Sequence, residues 1–99
     1  MPKDADKAFY DRANAHINLS NEQLEQDVHG KVSASMMYST ARFCTSLTAS
    51  GYNTSVEMAA HRKENVDYFV REFRLALEEN MDEYIKNFDQ YMSLARKVG

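Results

Sequence analysis

Glu57, His61 and Glu64 recur at i, i+4 and i+7, a spacing that sets a carboxylate, an imidazole and a second carboxylate along one face of a helix. Oxygen and imidazole donors in that order suit a divalent metal ion. The stronger helical signatures, His-Glu-x-x-His and repeated Glu-x-x-His, do not occur in the chain, so a solvated helix face held by side-chain pairs is the simpler reading. Arg42 is the one charged residue in Met36-Met37-Tyr38-Ser39-Thr40-Ala41-Arg42-Phe43, with the Tyr38 hydroxyl one helical turn before it. A guanidinium fork and a phenol on one face are a grip for a carboxylate or phosphate. The competing reading pairs Arg42 with Asp11 or Asp67 inside the domain or packs its stem at the edge.

Cys44 lies among small residues with no cysteine-enzyme signature around it and reads as a small buried hydrophobe. His16, between Ala15 and Ile17, reads as a packed imidazole. Glu78-Glu79 and Asp82-Glu83 are acidic pairs on a polar helix face, without the enclosed cleft that proton transfer needs. Phosphate loops, nucleophile elbows and zinc-type cysteine pairs do not occur. No catalytic residue is assigned, no cofactor is expected, and the balance is against an enzyme.

What positions these residues is bounded by composition. The 99 residues are 43% hydrophobic and 27% charged, which fits one globular domain spanning residues 1–99. A net charge of −3 with no basic face excludes nucleic acid as the expected partner. A lone cysteine permits no internal disulfide, and the N-terminal segment is charged and amphipathic, so neither a secretory signal nor a membrane span is expected. These features together point to a cytoplasmic protein.

Alternating β-branched patterns and Asn-Gly or Asp-Gly hairpin signals do not occur, so the expected class is all-α, a helical bundle of three to five helices. The first block runs from about Asp4 to Val28, with Phe9, Ala13, His16, Ile17, Leu24 and Val28 on one face. Ser20-Asn21-Glu22-Gln23 has the capping-box pattern and predicts a break near Leu19. The second block, about Lys31 to Ser50, carries small residues nearly all round, with Met36, Phe43 and Leu47 in one apolar row and Met37, Ala41, Cys44 and Thr48 in another. It is expected to be central, with neighbours on two sides. Gly30 and Gly51 are the expected interior breaks, Gly51 as a left-handed helix end.

Thr54-Ser55-Val56-Glu57 opens a third block that runs to about Arg96 without Gly or Pro. Its apolar residues Val66, Val70, Phe73, Leu77, Met81, Tyr84, Phe88, Tyr91 and Ala95 keep to one side at a mean spacing near the 3.6 of a straight helix. Some 40 helical residues would reach about 60 Å at 1.5 Å each, whereas a compact chain of this length has a radius of gyration of roughly 13 Å. Two outcomes stay open. The block bends or breaks, with Asn65 or Asn80-Met81-Asp82-Glu83 as candidates, or it projects and covers its stripe with a second copy. Tyr68 and Leu75, seven apart and opposite the stripe, are candidate contacts for a partner.

The run from Lys31 to Phe43, with Asp67-Tyr68-Phe69 and Phe88-Asp89-Gln90-Tyr91-Met92, resembles a proteobacterial family of small proteins catalogued as a domain of unknown function. The resemblance spans most of the chain and implies a bacterial cytoplasmic protein with no catalytic residue, cofactor or substrate to carry over. Cys44-Thr45 departs from the Asn-Ala expected after Phe43, which weighs against Cys44 as an essential residue. The leading functional expectation is an interaction or scaffold module that forms a homo-oligomer or binds a protein partner through the third block. The alternative is a small-ligand or metal-binding protein using Arg42 and Tyr38, or Glu57, His61 and Glu64.

Overall fold

Five helices form in a computed structural model that describes the backbone of residues 5–26 and 29–98 and the side chains of 5–26 and 30–93. They are α1 (Lys7–Leu24), α2 (His29–Ala49), α3 (Ser55–Ala60), α4 (Arg62–Lys86) and α5 (Phe88–Val98). The chain is all-α, and no strand occurs among the described residues. The expected outer ends of the first block, Asp4 and Val28, lie outside the described residues. The chain divides into two compact units, Lys3–Arg62 and Lys63–Gly99.

In the unit Lys3–Arg62, Asp6 caps α1, its carboxylate accepting from the Phe9 N–H at 2.8 Å. That satisfies one of the amides that a helix start leaves without a partner. The expected break near Leu19 does not form, and α1 runs on to Leu24. Ser20 does not cap: its hydroxyl lies 3.5 Å from the Met36 sulfur on α2, a cross-helix contact that local sequence rules do not anticipate. The helix ends instead with tightened bonds from Glu25 to Glu22 and from Gln26 to Gln23.

α2 packs on α1. Among the described residues Val32 alone is buried, 7% exposed. It lines a shallow, open depression of about 450 Å³ with Ser20, Leu24 and Met36. The expectation of a central α2 with neighbours on two sides is corrected, because Met36, Met37, Phe43 and Leu47 are all exposed and only Cys44 and Thr48 are half-buried on its C-terminal half. Thr40, Thr45 and Thr48 each turn their hydroxyls back onto the carbonyl four residues earlier, at 2.8–2.9 Å. Small side chains here serve their own helix.

Gly30 does not break the chain but sits in the first turn of α2, and Gly51 is not left-handed, since no described glycine has positive φ. α2 closes by drawing in its last amides, Gly51 onto Thr48 and Tyr52 onto Ala49, both at 3.1 Å. A Cβ placed at Gly51 would meet the Thr48 carbonyl at 3.4 Å, an ordinary contact. Gly51→Ala is therefore expected to stabilise the fold by about 0.5 kcal/mol through lost unfolded-state freedom. Thermal unfolding followed by circular dichroism should show a midpoint roughly 2–4 °C higher; a fall would mean that the glycine is needed there.

Thr54 caps α3 as its sequence predicts, accepting from the Glu57 N–H at 3.1 Å. The third block then breaks, but at neither expected place. α4 passes straight through Asn65 and through residues 80–83, where the Asn80 amide donates to the Ala76 carbonyl at 2.8 Å and so follows the helix path. The interruptions fall at His61 and Asn87. At His61, Nδ1 donates to the Glu57 carbonyl at 3.0 Å, and the backbone N–H drops back to Met58 at 3.0 Å. A side chain has taken the acceptor that the next turn of α3 needed.

In the unit Lys63–Gly99, the N–H and the side-chain amide of Asn87 both donate to the Glu83 carbonyl, at 3.0 and 3.2 Å. The Tyr91 N–H donates to the Asn87 carbonyl at 3.1 Å, so backbone bonding of the i to i−4 kind spans the junction of α4 and α5. Lys63 with Asp67 (2.6 Å) and Arg74 with Glu78 (3.7 Å) add i, i+4 pairs along α4, so exposed that solvent screening leaves them little net effect on stability. The Asp67 carboxylate raises the Lys63 ammonium above its usual value of 10.5.

Candidate functional site

α4 is 25 residues long and free of Gly and Pro, so its apolar stripe is carried on one rigid rod. Val66, Val70, Phe73, Leu77, Met81 and Tyr84 lie on it, and Phe88 opens α5. Each of these seven is exposed, from 45% at Tyr84 to 60% at Val70. A helix with a continuous apolar face owes most of its stability to whatever covers that face, and the described residues of the unit Lys63–Gly99 leave it exposed.

The C-terminal end of the stripe is shaped by an aromatic stack. The rings of Tyr84 and Tyr91 lie 4.1 Å apart and 11° from parallel, and the Tyr91 hydroxyl donates to Glu83 Oε1 at 2.7 Å. That hydrogen bond, helped by partial desolvation and the Glu83 charge, raises the Tyr91 phenol above its usual 10.0. A raised phenol pKa means that the contact contributes in full below about pH 10 and is lost as pH rises through the folded-state value. In an alkaline titration read by tyrosinate absorbance, Tyr91→Phe should remove a phenol that titrates above the ordinary tyrosine value, whereas loss of one that titrates at or below that value would place the Tyr91 hydrogen bond elsewhere.

Tyr68 and Leu75 are about half exposed on α4. The Tyr68 ring is already engaged, edge-on to Phe69 at 5.1 Å and 5.7 Å beneath the Arg71 guanidinium. Tyr38 and Arg42 stand one turn apart on α2, both exposed, and neither lines the depression beside Val32. The carboxylates considered for Arg42 are engaged elsewhere, Asp11 with Lys7 at 2.8 Å and Asp67 with Lys63.

Glu57 lies in the first turn of α3, His61 ends that helix, and Glu64 lies in the first turn of α4. The spacing argument needs one continuous helix, and the break at His61 removes it. Among the described residues no group of three His, Cys, Asp or Glu side chains gathers to hold a metal. The His61 ring stacks on Tyr52 instead, at 5.5 Å and 27°. Val32, the Tyr84–Tyr91–Glu83 cluster and the Tyr52–His61 stack were not singled out from sequence; a seven-residue Tyr–Tyr spacing was the one available hint. No helix among the described residues is long and apolar enough to cross a membrane.

Residues 9–85 match a family described as "Protein of unknown function (DUF3144)". The chain belongs to that family. The proteobacterial resemblance carried by Lys31 to Phe43 is thereby upheld at family level. The DUF3144 chain is also similar to the solved structure described as "NMR structure of the protein NB7890A from Shewanella sp", with 34% identity and a TM-score of 0.75. The likeness covers 93% of this chain and 98% of that one. Among curated proteins none matches the DUF3144 chain.

Proposed function

We propose that this DUF3144 protein is an interaction module that self-associates, with the apolar stripe of α4 as its contact surface. The observation that carries the reading is the run of exposed large side chains from Val66 to Tyr84 on α4, a helix with no interior breaker, continued by Phe88 at the start of α5. With full areas of about 150–250 Å² for the aromatics and somewhat less for the aliphatics, half-exposure of seven such residues amounts to roughly 700 Å². A standard protein interface takes about 800 Å² from each partner. Tyr68 and Leu75, about 10 Å apart along the reverse face, offer too little area to hold a pair of chains by themselves and are assigned an auxiliary role.

Self-association couples stability to concentration. Thermal unfolding at about 5 and about 500 μM should differ by at least about 5 °C in midpoint, because a hundredfold concentration change is worth about 2.7 kcal/mol per assembly. Equal midpoints at both concentrations would remove the reading.

A further inference from the structure

Between Val66 and Phe88 the apolar stripe advances in the four-three-four steps of a straight helix, and such a series is its own reverse, which lets two copies meet about a two-fold axis. From Val66 the steps to Val70, Phe73, Leu77, Met81, Tyr84 and Phe88 are four, three, four, four, three and four residues. The series reads the same from either end, with Leu77 at its centre. A two-fold interface is built from one patch meeting itself, so that residue i faces j and j faces i.

Resting on the self-association reading above, we propose that α4 packs antiparallel against α4 of a second copy, with Leu77 on the two-fold axis. Phe73 then faces Met81 of the partner, Val70 faces Tyr84, and Val66 faces Phe88 near each end. Each pair occurs twice, and large and medium side chains alternate across the seam. Val66, Leu77 and Phe88 mark two successive eleven-residue blocks. That repeat, at 3.67 residues per turn, keeps a seam nearly straight with a slight right-handed drift, and not the left-handed winding of heptads.

Charge selects the same direction. Residues 62–76 carry four basic and three acidic side chains, and residues 78–92 carry one basic and five acidic. Antiparallel packing sets the basic half of each α4 against the acidic half of the other. In-register parallel packing would set acidic half against acidic half, a repulsive arrangement along the flanks of the seam. Arg74 borders the stripe and comes level, within about one helical turn, with the partner's Glu78, to which it can extend the pairing it already makes in its own chain.

Cysteine cross-linking in a Cys44→Ser background tests the direction and the register. Leu77→Cys alone should form a disulfide-linked dimer under mild oxidation. Val70→Cys alone should not, since the two copies of residue 70 lie about 21 Å apart along the seam, whereas Val70→Cys mixed with Tyr84→Cys should cross-link. As a second readout that leaves the stripe intact, spin labels at Glu64→Cys should report a separation of about 40 Å in the antiparallel pair, and under about 20 Å in a parallel one. Efficient cross-linking of Val70→Cys alone, or the short spin-label distance, overturns the antiparallel arrangement. A chain that sediments as a dimer while Leu77→Cys fails to cross-link overturns the Leu77 axis and leaves self-association standing. A chain that sediments as a monomer overturns self-association itself.

Discussion

Leu77→Glu is expected to weaken self-association by at least a hundredfold while leaving α4 helical. Leucine and glutamate have nearly equal helix propensity, so the substitution acts on the surface and not on the helix. Leu77 is 46% exposed in the single chain, so covering the remainder contributes on the order of 1 kcal/mol per copy, and each pair of chains loses it twice. On the two-fold axis the two glutamates also meet each other in a desolvated setting, where like charges add further cost. A hundredfold loss corresponds to about 2.8 kcal/mol, which the two effects together exceed. Leu75→Glu is the matching control on the reverse face and should change the association constant less than about threefold. Sedimentation equilibrium on the two variants distinguishes the faces. Equal weakening by both would mean that α4 has no preferred side.

The second large effect lies in the unit Lys3–Arg62, where Val32 is the one buried side chain among the described residues of α1 and α2. Val32→Asp places an unpaired carboxylate where the chain is 7% exposed, at an expected cost of about 3 kcal/mol. Placement in the first turn of α2, where a negative charge is favoured, recovers up to about 1 kcal/mol of this. Val32→Ala, which only removes methyl groups, should cost about 1–2 kcal/mol. Urea unfolding should give midpoints in the order wild type, Val32→Ala, Val32→Asp. An aspartate variant as stable as the parent would show that the α1–α2 contact is not held by Val32.

The helical class, the Thr54 cap and the α4 stripe were legible because each depends on residues within a few positions of one another. Helix periodicity fixes which side chains share a face whatever the rest of the chain does. The misplaced breaks have a different origin. Ser20 satisfies the capping-box pattern, yet its hydroxyl is used on Met36, sixteen residues away. His61 carries no breaker signal and ends α3 through its ring, which takes the Glu57 carbonyl and stacks on Tyr52. Asn65, Asn80 and Asn87 are alike as residue types. Asn80 and Asn87 make the same local bond, each side-chain amide donating to the carbonyl four residues earlier, at 2.8 and 3.2 Å, so neither residue type nor that bond separates the interior of α4 from its end.

The candidate sites divide along the same line. The spacing argument for Glu57, His61 and Glu64 assumed one continuous helix through His61, and α3 ends there because the His61 ring takes the Glu57 carbonyl. The stripe needed no long-range information, and its mirror spacing about Leu77 was present in the order of residues. Its meaning depends on α4 being unbroken from Val66 to Tyr84, which competing break points at Asn65 and Asn80 had obscured.

Sedimentation equilibrium on the unmodified chain, from low to high micromolar concentration, tests self-association most directly. Covering the α4 stripe with a second copy predicts a mass that rises from 11.4 kDa to about twice that value with a single dimer isotherm. A mass that stays at 11.4 kDa up to several hundred micromolar would contradict it.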